Sequence, residues 1–195
     1  MIKPNNYENV QTGDFVPAEP GGHHMIIKQV KEQTSRSGKQ MLVVAVDFAP
    51  NDRQPLYFSK LFEGDTRPDK KWPHAGTIYV VSTDNNGQCS KNFKTFITSF
   101  EKSNGVQATW GEGAAFLKQF AGKKIGGVYG IVEEEYNGER KKRSLLRWFC
   151  EDSKAEGSRV PEPKLMDQGA APVPAGTTDA SGFTPVEIPT DELPF

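Results

Sequence analysis

A mainly β chain with one or two helices and a disordered C-terminal tail is what this sequence predicts, and three observations predict it. Short runs of β-branched and apolar residues recur through residues 1–164, broken by Gly, Pro, Asn and Asp. A helical stripe interrupts them at Phe93, Phe96, Ile97 and Phe100, spaced i, i+3, i+4, i+7. From Leu165 onward the chain is built from Gly, Ala, Pro, Thr and Ser, lacks Lys and Arg, and has too few large apolar residues to offset the entropy of ordering it.

The 195 residues thus divide into an N-terminal arm (1–22), one domain long enough to bury a core (23–164) and the tail (165–195). All 24 Lys and Arg lie before residue 165, with 20 of the 25 Asp and Glu, so the body carries +4 and the tail −5. A body this mildly basic makes a nucleic-acid groove a matter of charge placement. Cys89 and Cys150 form no CxxC or Cys/His cluster, which predicts free thiols and no structural metal. No run approaches the ~18 apolar residues of a membrane span and the start has no apolar signal region, so a soluble cytoplasmic protein is expected.

In chain order, Tyr7, Val10, Phe15 and Val16 anchor the arm on the body, and Pro20-Gly21-Gly22 is expected to stop regular structure before the first strand. Met25–Lys31 and Met41–Phe48 read as two strands joined by a Ser- and Gly-rich loop whose Arg36 and Lys39 can reach phosphate. Leu56–Phe62 reads as a short strand with aromatics on both faces, Tyr57 and Phe58 among them, where burial would hide only one face. The charged segment from Glu63 to Gly76 places Trp72 beside Lys70 and Lys71. That arrangement suits base stacking with phosphate pairing, or a ring folded back over the core. Thr77–Ser82 is apolar enough for a further strand, the aromatic stripe a helix, and Glu112–Phe120 a second short helix.

Ile125–Tyr136 and Glu139–Phe149 are long strands joined by Asn137-Gly138, a strong hairpin signal. A two-residue loop opposes residues whose numbers sum to 275, so Glu133, Glu134 and Glu135 face Lys142, Lys141 and Arg140. Arg143 and Arg147 are left unpaired on one face with Leu145 and Phe149, while Tyr129, Ile131, Leu146 and Trp148 share the core face. Gly126, Gly127 and Gly130 predict a bulge, a barrel corner or a close approach.

Taken together, this order matches an OB-fold-like five-stranded Greek-key barrel with its helix before strand four. The chain also resembles a phage and prophage family of single-stranded-DNA-binding proteins. The likeness is carried by Asn6-Tyr7-Glu8, Phe15-Val16-Pro17 and Pro20-Gly21-Gly22, by Phe93-Lys94-Thr95-Phe96-Ile97-Thr98 with Glu101 and Asn104, and by Gly126-Gly127-Val128-Tyr129-Gly130 with Arg147-Trp148-Phe149. Where commoner members have an aromatic after the Gly-Gly, this chain has His23-His24. The tip Asp191-Glu192-Leu193-Pro194-Phe195 is similar to the acidic, Pro-Phe-terminated tip of single-stranded-DNA-binding proteins. There the resemblance implies recruitment of replication and recombination enzymes.

Two functions of different class follow. The first is single-stranded DNA binding without strong sequence preference, with Tyr57, Phe58 and Trp72 stacking on bases and Arg36, Lys39, Lys60, Lys70, Lys71, Arg143 and Arg147 taking phosphates. The second is a β-barrel adaptor that binds only proteins through its tip. An enzyme is not expected: no GxxxxGK[ST], GxSxG or HExxH occurs, no cofactor is implied, and His23, His24 and His74 read as surface residues.

Overall fold

A computed structural model of the chain describes residues 2–3, 7, 16–35, 37–111, 113–136 and 138–166. The elements are β1 (Gly21–Thr34), β2 (Gln40–Phe48), α1 (Tyr57–Gly64), β3 (Thr77–Val81), α2 (Lys91–Asn104), the one-turn α3 (Ala114–Lys118), β4 (Lys124–Tyr136) and β5 (Glu139–Cys150). All lie within the unit Met1–Leu165. The predicted disordered tail from residue 167 on, with its tip, and Arg36 lie outside the described residues, as does most of the arm. Among the described residues no helix is long and apolar enough to cross a membrane.

The protein is mainly β, with five antiparallel strands in one sheet of order β3-β2-β1-β4-β5. That order, with α2 between β3 and β4, is compatible with the expected OB-fold-like barrel. β1 is central because it is long enough to serve two neighbours: Gly21–Ile26 pair with β4, and Met25–Thr34 pair with β2. The Gly21-Gly22 pair therefore begins the strand, contrary to the expectation that it would stop regular structure. A side chain at Gly22 would place its Cβ 1.6 Å from the Ala155 carbonyl oxygen, so only glycine lets the two backbones meet.

Two bulges set which side chains enter the core. In β1 the register shifts between Ile27 and Gln29, so His23, Met25 and Ile27 point inward before it and Val30 after it. In β5 the shift falls opposite Val128 and Tyr129 and leaves Arg147 as the extra residue. The 275 register holds from Tyr136↔Glu139 to Tyr129↔Leu146, and then Val128 faces Trp148 rather than Arg147. Alternation is inverted beyond that point. Phe149, expected beside the arginines, is core, and Trp148, expected in the core, is 39% exposed. Gly130 meets the other predicted condition, close approach: a Cβ there would lie 2.4 Å from the Pro161 ring, part of a returning segment in which Lys164 bonds to Ile131 and Glu133 of β4.

The stripe on α2 packs as expected, with Phe96, Ile97 and Phe100 buried against Phe120 and Phe149. Ser90 caps this helix by accepting from the Phe93 N–H at 3.1 Å, and Gly105 ends it at φ +63°. The strand expected over Leu56–Phe62 is instead helix α1. Leu56 takes a left-handed φ of 54°, which breaks extended backbone, and the buried Asp47 of β2 then caps the helix. Its carboxylate accepts from the N–H of Phe58 at 2.9 Å and of Ser59 at 3.3 Å, and from the Ser59 hydroxyl. A carboxylate at a helix N-terminus satisfies donors the helix cannot satisfy itself.

Candidate nucleic-acid interface

α1 carries its aromatics into the core, which corrects the stacking role expected of Tyr57 and Phe58. Phe58 is fully buried between Phe48, Tyr57 and Tyr129. Tyr57 is buried too, its hydroxyl donating to the Val16 carbonyl at 2.8 Å, and burial pushes its pKa up to about 12. Trp72 folds back over the core: its indole N–H donates to the Val46 carbonyl at 3.1 Å and its ring lies 5.5 Å from Phe62. The cations of this region remain outside. Lys60 and Lys71 are exposed, Lys70 sits 4.6 Å from the Phe62 ring centroid, and Arg67 grips Asp65 through three bonds of 2.7–3.1 Å. That grip holds the Asp65 carboxyl down at about 2.

The outer face of β1, β2 and β3 presents a different surface. Beyond the β1 bulge, Gln29, Lys31 and Gln33 point outward and lie in register with Ala45, Val43 and Met41 of β2. Those in turn face Thr77, Tyr79 and Val81 of β3. The middle row is Lys31–Val43–Tyr79, and Tyr79 is 38% exposed. Its strand neighbours Ile78 and Val80 turn inward, and Val80 is buried. Sequence reasoning missed Tyr79, although a signal existed: apolar Ile78 and Val80 on one face of a strand put Tyr79 on the other. Lys39, at the end of the β1–β2 loop, bonds the side chain of Asn85.

On β5 the arginines divide. Arg143 stands opposite Val132 as expected but is not wholly unpaired, with Nε 3.9 Å from Glu134 Oε2. Arg147, extruded by the bulge, donates to the Glu162 carbonyl at 3.2 Å and so holds the returning segment. Lys142 and Glu133 oppose each other as predicted, while Lys141 pairs within its own strand with Glu139 at 2.9 Å. Lys60, Lys70, Lys71 and Trp72 thus belong to one region and Arg143 to another strand, and Tyr79 stands where the expected stackers do not.

The histidines also depart from expectation. His23 is fully buried, stacked on Phe48 at 3.9 Å, with Nδ1 2.9 Å from Asp52 and Nε2 2.8 Å from the Glu19 carbonyl oxygen. His24 contacts Asp152 at 2.8 Å, and only His74 is exposed. Burial raises the Asp52 carboxyl, but bonds from His23 and from the Gln54 and His24 N–H groups outweigh it and leave the group below its usual range. With Glu19 paired to Arg53 at 2.9 Å, this network fastens residues 16–20 to the body. Among the described residues no cluster of three or more His, Cys, Asp or Glu could hold a metal. Compared with models of protein families and with curated proteins, the chain matches none.

Proposed function

We propose that this protein binds single-stranded DNA without strong sequence preference, as a member of the phage family it resembles, and brings replication or recombination enzymes to the strand through Asp191-Glu192-Leu193-Pro194-Phe195. The observation that carries the reading is Tyr79, an exposed ring at the middle of the β2–β3 face. Oligonucleotides lie across that face in OB-folds, between the β1–β2 and β4–β5 loops. Lys31 stands in the same cross-strand row, with Val43 between them offering a flat apolar floor. A ring accepts any base, which makes stacking tolerant of sequence, and lysines take the phosphates as point charges.

Titration of a labelled unstructured oligonucleotide, against a duplex of equal length, tests it. The single strand is expected to bind far more tightly, with log K falling against log salt at about −0.7 per phosphate contact. Equal affinity for both, or no binding at low salt, would replace this reading with the adaptor. The recruiting part is tested by capture of a replication or recombination enzyme with and without residues 191–195, and undiminished capture would remove the tip from the proposal.

A further inference from the structure

Beyond the sheet face lies a second aromatic feature that the proposed function does not use. Trp110 is 64% exposed, the most exposed tryptophan of the chain, yet its surroundings fix it. The Gln119 side chain accepts from the Thr109 N–H at 2.8 Å and donates to the Thr109 carbonyl at 3.0 Å, and Glu101 accepts from the Ala108 N–H at 2.9 Å. The Trp110 ring lies nearly parallel to Phe116, 5.4 Å away at 19°, and 6.2 Å from Phe93. A two-point side-chain clamp on the residue before an exposed indole holds that indole in place at little further entropic cost on binding.

These three rings form one wall of a cavity of about 480 Å3, whose opposite wall is the start of β2 with Glu32, Gln40 and Ser82. Leu42, which also lines it, pairs with Glu32 on the side of buried Val30 and Val44, opposite to Lys31, Val43 and Tyr79. The cavity therefore opens behind the outer face, beside Ser82 at the end of β3, and a strand must pass round that end to reach it. The chemistry of the lining selects an occupant. Parallel rings favour a flat π-system. The polar wall offers the Glu32 carboxylate, the Gln40 amide and the Ser82 oxygen, whose proton already goes to the Gln40 carbonyl at 2.7 Å. No cation lines the cavity among the described residues, so a phosphate or an acidic peptide meets a carboxylate and no counter-charge.

We propose that this cavity takes one unstacked nucleobase of the bound strand, stacked on Trp110 with its edge toward Glu32, Gln40 and Ser82, while the sugar-phosphate remains outside. The site rests on the single-stranded-DNA reading and adds to it a second stacking position. An exocyclic amino group is the natural partner of the carboxylate, as in contacts to cytosine N4.

The test compares wild type with Trp110→Ala and Trp110→Phe on an unstructured oligonucleotide, with thermal unfolding followed for each. Trp110→Ala is expected to bind about ten-fold more weakly, the loss of one stacked base. It should unfold near the wild-type temperature, since so exposed a ring buries little. Trp110→Phe is expected to restore most of the affinity and to lose the larger part of the tryptophan quenching seen on binding. Unchanged affinity and quenching in these variants, with wild type binding the strand, would overturn the cavity and leave the proposed function standing. Failure of wild type to bind any single strand would overturn both. Protection of Trp110 fluorescence by an uncharged aromatic peptide but not by DNA would assign the cavity to a protein partner instead.

Discussion

The segment from Leu56 to Trp72 holds Tyr57, Phe58, Phe62 and Trp72 among four cations, whereas the outer face of β1–β3 holds one ring, Tyr79, in a row with one lysine, Lys31. By composition the first is the better stacking surface. By structure it is the reverse: Phe58 is sealed by three rings and Trp72 is tied to the Val46 carbonyl, while Tyr79 faces solvent. Aromatic density marks where a core needs area, because rings contribute the most burial per residue. Exposure of a ring is decided by strand parity, and one ring on a paired, flat surface serves a base better than four in a cluster.

Truncating one ring in each region separates their roles. Phe58→Ala removes a fully buried ring and is expected to cost about 3–5 kcal/mol of stability in urea or thermal unfolding. Any effect on DNA binding should then track the unfolded fraction. A folded Phe58→Ala protein of normal stability that has lost DNA binding would return the α1 region to the interface. Tyr79→Ala should do the opposite, weakening DNA binding about ten-fold while costing stability by about 1 kcal/mol or less at an edge strand. Intact binding by Tyr79→Ala would remove the sheet face from the proposal.

Much of the fold was legible because local chemistry wrote it. The two-residue connection at 137–138 fixed eight cross-strand pairs, and the 3.6-residue stripe fixed α2 and its buried face. What was illegible depended on residues far away or on a single insertion. α1 owes its start to Asp47, which belongs to another element and lies nine residues before Leu56. The β5 bulge leaves no mark in composition, yet it exchanges Trp148 with Phe149 and turns Arg147 from a free cation into a clasp for Glu162. The buried His23 was hidden for the same reason, since Asp52, Glu19 and Phe48 surround it only after folding.

A weaker effect is expected on the β4–β5 hairpin, where cations are dense but already engaged. Lys141 is held by Glu139 at 2.9 Å and Lys142 stands opposite Glu133, while Arg143 lies 3.9 Å from Glu134 on the part of β5 nearer the sheet body. Changing Lys141 and Lys142 together to Ala should lower the salt slope of DNA binding by far less than the roughly 1.4 that two phosphate contacts would remove. A modest loss at low salt is expected, because the neighbouring acids then meet the DNA with less positive charge around them. It should fade near physiological salt, where the Debye length is about 8 Å. Arg143→Ala alone should take more of the slope than the lysine pair, since its carboxylate contact is long and leaves the guanidinium donors available to a phosphate. Arg147 is unsuited to this test, because its replacement also releases the Glu162 carbonyl. If the lysine pair proves the costlier change, the hairpin tip rather than the sheet face carries the strand's backbone, and Tyr79 would have to stack on bases delivered from that side.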